Sequence, residues 1–289
     1  MSKKNIIFLS IFYALFILLA VTFFFLDLDI SKAMVQENAN FLYVLLAAVG
    51  EFPIYLGPIL FGIVYGFTNE TKVGKLISHF VGLIATYVAF IRLSDGIFEH
   101  YLNSQLDVVQ YALLGVASLL VYLLLFFVGN KIEHDSIYKI RDIALIMLIV
   151  SLSSFIMVTG IKYIWGRPRY RILSNDYSEY VNFLTIDGFR NGLPSDDYRS
   201  FPSGHTNAAT SILVWGLLPA RFTSKKWVKY LVNSLCVIYP LIVAISRIGI
   251  GAHYASDVLF GFGISFSCFV ITYIIFKKKG WLYVRDNKC

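Results

Sequence analysis

A histidine and an aspartate near the C-terminal end of the chain have the types and spacing of a catalytic pair. In the stretch 246–257, Arg247 precedes two glycines that permit a tight reversal, and His253 lies four residues before Asp257. Four residues make about one helical turn, so the carboxylate can hold one ring nitrogen and leave the other basic. The alternative is a simple polar pair, but Asp257 begins an apolar segment, where a carboxylate is costly and usually functional.

A second histidine follows a helix-start pattern. Pro202, Ser203, Gly204 and His205 come directly before an apolar run, which is typical of a helix N-terminus. Free N–H groups at such an end bind anions, and glycine lets an anion approach the backbone. The alternative is an ordinary capped helix with a histidine at the membrane interface.

A third cluster is rich in the cations that bind phosphate. Lys162 and Arg169 are seven residues apart, which puts them on one face if the helix continues that far. Pro168 can end the helix first and leave Arg169 on the loop. The alternative is a basic collar at the membrane interface with Trp165 as its anchor.

The composition predicts that these clusters are positioned by membrane helices. The chain is 57% hydrophobic and 15% charged, with a mean hydropathy of +0.68, which excludes an ordinary soluble domain. We predict an all-α, polytopic membrane bundle of about eight transmembrane helices, with seven as the alternative count. Glu51 and Pro53 are expected to break the second span. The apolar runs cover residues 5–27, 41–67, 76–95, 108–129, 143–163, 206–220, 229–247 and 254–276.

The positions of Lys and Arg orient these spans. With the N-terminus inside, alternate connections carry the positive charge, and both termini are expected to be cytoplasmic. The opposite connections hold only Lys32 near 28–40 and neither Lys nor Arg near 96–107. The residues on the cytoplasmic side are Lys3, Lys4, Lys72, Lys75, Lys131, Lys139, Arg141, Arg221, Lys225, Lys226, Lys229, Lys277, Lys278, Lys279, Arg285 and Lys288.

The long connection 164–205 departs from this rule, because it is assigned outside and yet is rich in arginine. A bound anion would explain these cations; the alternative is pairing with carboxylates of the same loop. The arginines are Arg167, Arg169, Arg171, Arg190 and Arg199, and the carboxylates are Asp176, Glu179, Asp187, Asp196 and Asp197. With this topology all three clusters fall on the extracytoplasmic face. Together they supply two histidines, one carboxylate, several cations and a helix N-terminus, a set that favours phosphoryl transfer through a phosphohistidine.

Other ligand classes have little support in the sequence. The net charge of +7 is explained by topology, and no nucleic-acid motif accompanies it. No set of convergent carboxylates indicates a metal site, so we expect neither a metal nor another cofactor. Cys236, Cys268 and Cys289 are expected to be neither disulfides nor metal ligands. No obligate protein partner is indicated.

The three clusters together resemble the type 2 phosphatidic acid phosphatase superfamily, whose motifs are K-x6-RP, PSGH and S-R-x5-H-x3-D. The second and third motifs match in full, including Ser246. In the first, Tyr170 replaces the proline, and Arg167 with Pro168 forms a competing pair, although Arg169 is favoured. The resemblance covers roughly 76–276 as a six-helix core. Residues 1–75 would then add two spans, and 277–289 would be a basic cytoplasmic tail.

The resemblance implies a role for each matching residue. His253 would attack phosphorus, oriented by Asp257, and His205 would protonate the leaving oxygen. Arg167 would be an additional phosphate ligand. The main ligands of the phosphoryl oxygens would be Lys162, Arg169, Arg247, Ser203 and the backbone at Gly204.

The expected substrate is a lipid phosphate or pyrophosphate in the membrane. An outward-facing site favours a bacterial plasma-membrane enzyme of carrier-lipid or phospholipid metabolism, acting on undecaprenyl pyrophosphate, phosphatidic acid or phosphatidylglycerophosphate. Two alternatives remain: a lipid phosphotransferase with an alcohol acceptor, and a non-catalytic protein that binds or transports lipid phosphates.

Overall fold

The protein is an all-α bundle, as predicted. The computed structural model describes residues 3–36, 41–102, 106–186, 188 and 195–283, and these ranges contain helices and connections but no β-strand. Asp187, Arg190, Arg285, Lys288 and Cys289 lie outside the described residues. The α-helices are α1 (Lys3–Met34), α2 (Phe41–Val49), α3 (Phe52–Thr68), α4 (Lys72–Leu102), α5 (Val108–Lys131), α6 (His134–Tyr138), α7 (Arg141–Trp165), α8 (Gly204–Thr210), α9 (Pro219–Phe222), α10 (Lys226–Gly249) and α11 (Ala255–Lys279).

Seven helical segments in the described chain are long and apolar enough to cross a membrane, with α2 and α3 counted together. The protein is therefore a multi-pass membrane protein. By this measure the number is one fewer than the eight spans predicted. The difference lies in the run 206–220, which does not form one long helix. Instead α8, a 3-10 helix at Ser211–Leu217 and α9 follow one another.

The broken run nevertheless connects the two ends of the bundle. Arg221 pairs with Asp142 at the start of α7, whereas His205 and Lys162, near the end of α7, line one cavity. The 25 residues of α7 extend about 37 Å at 1.5 Å per residue. The segment 204–222 covers a similar distance because a 3-10 helix rises about 2 Å per residue.

The second apolar run breaks at the predicted place. α2 ends at Val49 and α3 begins at Phe52, with Pro53 in its first turn. Proline is well tolerated there because the first N–H groups of a helix have no partner within it. The break puts Glu51 between two helices at the level of the cavity, and the membrane tolerates such irregular backbone where it faces a polar cavity.

The N-terminal helices pack against the part of the chain that carries the three motifs. The ring of Phe12 in α1 lies 4.1 Å from that of Phe266 in α11, and Tyr13 is hydrogen-bonded to Ser267. Leu56 and Leu60 of α3 pack on a buried cluster that is formed by α7, the 3-10 helix and α11. Helices α1 and α3 therefore lie directly on the motif-bearing helices, close enough to contribute to the site.

Candidate active site

A cavity of about 630 Å³ lies where the ends of α7 and α10, the start of α8 and the break between α2 and α3 meet. Both predicted histidines, His205 and His253, line it. Its charged lining in the described chain has six cations against three carboxylates, so it favours an anionic ligand. The cations are Arg92, Lys162, Arg169, Arg171, Arg199 and Arg247, and the carboxylates are Glu51, Asp95 and Asp196.

Lys162 and Arg169 reach this cavity from different local structures. α7 ends at Trp165, and Gly166 follows in the left-handed conformation that commonly ends a helix. Lys162 is therefore helical, and its Nζ donates to the Arg199 carbonyl at 2.5 Å. Arg169 lies on the loop, where it pairs with Asp196 at 2.8 Å. The alternative of one continuous helical face for both residues is wrong.

Arg167 is placed differently from a phosphate ligand. Its side chain is fully buried, and it is not among the residues that line the cavity. It donates to Asp257 at 2.6 Å, to Asp27 of α1 at 2.9 Å and to the Val181 carbonyl at 2.9 Å. Of the two competing arginines, Arg169 lines the cavity, whereas Arg167 binds the buried carboxylates of Asp257 and Asp27.

The turn between α10 and α11 presents His253 to the cavity. Gly251 has φ +65°, a conformation that glycine adopts without strain, and the N–H of His253 donates to the Arg247 carbonyl at 3.2 Å. The Nδ1 atom of His253 lies 3.6 Å from Oδ2 of Asp257, slightly beyond hydrogen-bond distance. This arrangement leaves Nε2 as the ring nitrogen for the cavity.

The carboxylate of Asp257 is held by several donors. It accepts hydrogen bonds from the Tyr254 N–H at 2.9 Å and from the Ser200 hydroxyl at 2.5 Å, in addition to Arg167. The residue lies in the first turn of α11, where the helix dipole favours a negative charge. Asp257 can therefore remain ionised in a fully buried position and direct the imidazole of His253.

The surroundings of His253 keep its imidazole neutral. Burial and the positive charges of Lys162, Arg169 and Arg247 lower its pKa well below the usual 6.5, although the interaction with Asp257 acts in the opposite direction. Desolvation is the largest cause because the charged form loses its hydration. A neutral imidazole is the form that can act as a nucleophile.

The start of α8 is fixed against α11, which sets the position of His205 relative to His253. The N–H of Ser203 donates to the Asp257 carbonyl at 2.9 Å, and a Cβ on Gly261 would lie only 2.4 Å from the Ser203 carbonyl oxygen. Glycine is thus required at 261 for this close approach. Gly204 and His205 then line the cavity.

Ser203 itself faces the protein interior. Its side chain is fully buried and is not among those lining the cavity, and its hydroxyl accepts hydrogen bonds from the Thr206 N–H and hydroxyl at 3.3 and 3.1 Å. The resemblance stated above implies that Ser203 binds phosphate, whereas in the structure its hydroxyl caps α8. A hydroxyl that satisfies a helix N–H is the usual reason for serine at this position.

Two carboxylates near the site were not among the predicted residues. Oε1 of Glu51 lies 3.1 Å from Nδ1 of His205. Asp27, fully buried in α1, binds Arg167 and both the N–H and the hydroxyl of Ser256. Both lie inside apolar runs, where a carboxylate needs a specific partner, so their positions carried a usable signal.

Part of the positive charge of the long loop is balanced by carboxylates of the same loop. Asp196 contacts Arg169, Arg171 and Arg199 at 2.8, 3.8 and 3.4 Å, and Asp197 lies 3.2 Å from Arg171. One carboxylate therefore serves three guanidinium groups, all of which line the cavity. An excess of positive charge remains there for a ligand.

Other possible ligand groups are few in the part of the chain that the structure describes. No cluster of three or more histidine, cysteine, aspartate or glutamate side chains there has the arrangement of a metal site. Cys236 and Cys268 are buried and unpaired within α10 and α11. The ionisable side chains that line the cavity are imidazoles, carboxylates and cations.

Comparison with known proteins finds one family that is similar to the part of the chain carrying this site. Residues 143–281 match the model of the PAP2 superfamily, and the match contains all three motifs. No curated protein and no solved structure gives a significant match to the chain. The superfamily implies phosphatase or phosphotransferase chemistry on phosphate esters, in keeping with the cationic cavity and its two histidines. Residues 143–281 of the chain are thus similar to the PAP2 superfamily.

Proposed function

We propose that this protein is a membrane phosphatase that removes phosphate from a lipid at the extracytoplasmic face through a phosphohistidine. The observation that carries the proposal is the arrangement of His253. It lies beside Asp257 and in a cavity lined by Lys162, Arg169 and Arg247. Phosphoryl transfer needs a positioned nucleophile and fixed positive charge around the equatorial oxygens, and this site offers both.

The first step forms the phosphoenzyme. Nε2 of neutral His253 attacks phosphorus, the bond from phosphorus to the lipid oxygen breaks, and His205 gives a proton to that oxygen. Asp257 stabilises the positive charge that develops on the attacking ring. Lys162, Arg169 and Arg247 balance the charge on the phosphoryl oxygens.

The second step releases phosphate. Water attacks the phosphorus of phosphohistidine, the bond between nitrogen and phosphorus breaks, and His205, now neutral, accepts a proton from the water. Each histidine returns to its starting state. An alcohol in place of water would give the phosphotransferase reaction with the same residues.

A lipid substrate is supported by the apolar wall beside the cations. Ala47, Ile54, Phe155 and Val158 line the cavity together with the charged residues. Phe155 belongs to an exposed stripe of α7 with Leu152 and Ile156, at the spacing of one helix face. A phosphate could therefore enter the cationic part of the cavity while its apolar chain stays in contact with the lipid-facing side of α7.

The extracytoplasmic orientation rests on the positive-inside rule. The end of the bundle opposite the cavity holds Arg141 and Arg221, and α11 ends there with three lysines. Lysine and arginine accumulate on the cytoplasmic side. The cavity would then face outside, as an enzyme acting on undecaprenyl pyrophosphate, phosphatidic acid or phosphatidylglycerophosphate from that side requires.

Phosphate release from a panel of purified lipids tests the proposal. The protein in detergent should release phosphate from at least one lipid phosphate or pyrophosphate, and it should do so in buffer with EDTA. Candidate alcohols are added in parallel, and formation of a new phosphate ester in place of free phosphate would identify a phosphotransferase. Lack of turnover on all lipids, with or without metal ions, would contradict an enzymatic role.

The pH dependence should have its acid limb below pH 6.5. Since kcat/KM reports ionisations of the free enzyme and the pKa of His253 is lowered, the nucleophile is neutral and active above that lowered value. An alkaline limb should follow when His205 loses its proton, which gives a bell-shaped profile. Burial and the nearby positive charges also lower the pKa of His205 well below 6.5, so the decline of kcat/KM is expected to begin on the acid side of neutrality as well. The measurement is kcat/KM from pH 4.5 to 9, corrected for the substrate's own phosphate ionisation. A corrected acid limb above pH 6.5, or a flat profile, would contradict these roles.

A further inference from the structure

Glu51 contacts the second histidine of the site from outside the matched domain. Its Oε1 lies 3.1 Å from Nδ1 of His205, and both side chains line the cavity. The residue is located at the break between α2 and α3, whereas the superfamily match covers only 143–281. The contact is therefore made by a part of the chain that the three motifs do not include.

We propose that Glu51 is a positioning residue for His205, so that the N-terminal helices complete the active site. The proposal rests on the function proposed above, in which His205 protonates the leaving oxygen. The carboxylate accepts the hydrogen bond of Nδ1–H, which fixes the ring and leaves Nε2–H directed toward the substrate. It also offsets the positive charge of the protonated ring.

The charges around His205 make such a partner necessary. Burial and the positive charges of Arg247 from α10, Lys162 from α7 and Arg169 from the following loop lower the pKa of His205 well below the usual 6.5. The protonated ring that the acid role requires is therefore disfavoured unless a negative charge lies beside it. Glu51 provides the opposite charge in direct contact.

The other carboxylates near the cavity act on other groups. Asp95 acts on Arg92. Asp257 is engaged by Arg167 and Ser200, and Asp196 is engaged by three arginines of the loop.

Glu51 is itself held by neighbours in the N-terminal helices. The charge of Glu51 acts on Arg92 of α4 and on Tyr55 of α3, and these two side chains also act on each other. Arg92 and Tyr55 also line the cavity. The negative charge of Glu51 is thus partly balanced by Arg92, while its Oε1 contacts His205.

In the step that forms the phosphoenzyme, the proposed role concerns one proton transfer. As the bond from phosphorus to the leaving oxygen breaks, the proton on Nε2 of His205 moves to that oxygen. The proton on Nδ1 stays where it is, shared in the hydrogen bond to Glu51, which remains a carboxylate. Glu51 therefore affects kcat/KM, which reports the steps up to formation of the phosphoenzyme, only when the leaving oxygen needs the proton.

Two substrates with different leaving groups test this role. Release of a lipid alcohol needs a proton, because the alkoxide is strongly basic, whereas nitrophenolate leaves without one. In Glu51→Gln we expect kcat/KM for a lipid monophosphate to fall by about 10- to 100-fold, as for partial loss of a general acid. The value for p-nitrophenyl phosphate should stay within about threefold of wild type, since general-acid assistance contributes little there.

The same comparison distinguishes failure of this inference from failure of the proposed function. His205→Ala should show the same selective loss for the lipid; an equal loss on both substrates would contradict the acid role of His205 itself. If His205→Ala shows the selective loss and Glu51→Gln shows none, or loses both activities equally, the positioning role is wrong. Glu70→Gln, the same change at an exposed position in the turn between α3 and α4, serves as the matched control and should leave both rates unchanged.

Discussion

His253→Ala should reduce kcat/KM by more than about a thousandfold while the protein remains folded in the membrane, as expected when a covalent nucleophile is removed. The imidazole is almost completely buried at the inner wall of the cavity. Alanine therefore leaves water in place of the attacking nitrogen and cannot form the phosphoenzyme. The cations would still bind substrate, so KM should change far less than kcat.

Trapping the intermediate makes this prediction specific. Wild-type protein mixed with a labelled lipid phosphate and quenched in alkali should carry an acid-labile phosphoryl group, and His253→Ala should carry none. His134→Ala, a change at an exposed residue at the start of α6, is the matched control and should keep full activity. Turnover by His253→Ala above about a thousandth of the wild-type rate would exclude this residue as the nucleophile.

The motifs could be predicted from sequence because each is local. The reversal before His253 depends on nearby glycines, and the break near Glu51 and Pro53 follows from residues that interrupt an apolar run. Hydropathy likewise places the long helices, since the length of a span is set by the thickness of the bilayer. These features need no knowledge of which helices are neighbours.

The partners of the motif residues could not be predicted in the same way. From the sequence alone Arg167 cannot be distinguished from Arg169. Only the packing of α1 against α11 brings Asp27 into contact with Arg167. The contact of Glu51 with His205 likewise joins positions far apart in sequence. Such pairs depend on helix neighbours, which apolar periodicity does not specify.

The run 206–220 shows a different limit. Its hydropathy indicates a span, but hydropathy does not distinguish an α-helix from a sequence of short α and 3-10 helices. Asn207, Thr206 and Thr210 are buried in this run, and the hydroxyl of Thr210 bonds to the Thr206 carbonyl. Side chains that compete for backbone groups in this way can bend a helix.

Arg167→Gln should lower the stability of the folded protein by about 3–5 kcal/mol, as for other broken buried ion pairs. Arg167, Asp27 and Asp257 are all fully buried, and the one guanidinium contacts both carboxylates. Removing it leaves two negative charges close together without their shared cation. Thermal unfolding in detergent should show a midpoint lower by about 10 °C. Activity should fall as well, because Asp257 loses the donor that fixes it beside His253.

The matched variant is Asp27→Asn, which removes charge from the other side of the same network. It leaves one cation with one carboxylate, so it should cost much less stability than Arg167→Gln. Asparagine can still accept the hydrogen bond of Ser256, and activity should stay within about tenfold of wild type, in keeping with the loss of a single hydrogen bond to a charged group. A larger loss of stability in Asp27→Asn than in Arg167→Gln would contradict this charge balance.

Arg169→Gln separates a phosphate ligand from a buried support. Arg169 lines the cavity and pairs with the exposed Asp196, so its loss should raise KM and lower kcat/KM with little change in the unfolding midpoint. Arg167→Gln should show the opposite pattern, with a lowered midpoint and a reduced kcat. If instead Arg167→Gln keeps the wild-type midpoint and raises KM alone, Arg167 binds phosphate directly. The two arginines would then share one role. Their different burial argues against this, because the guanidinium of Arg167 is already bound by two buried carboxylates and has little capacity left for a third anion.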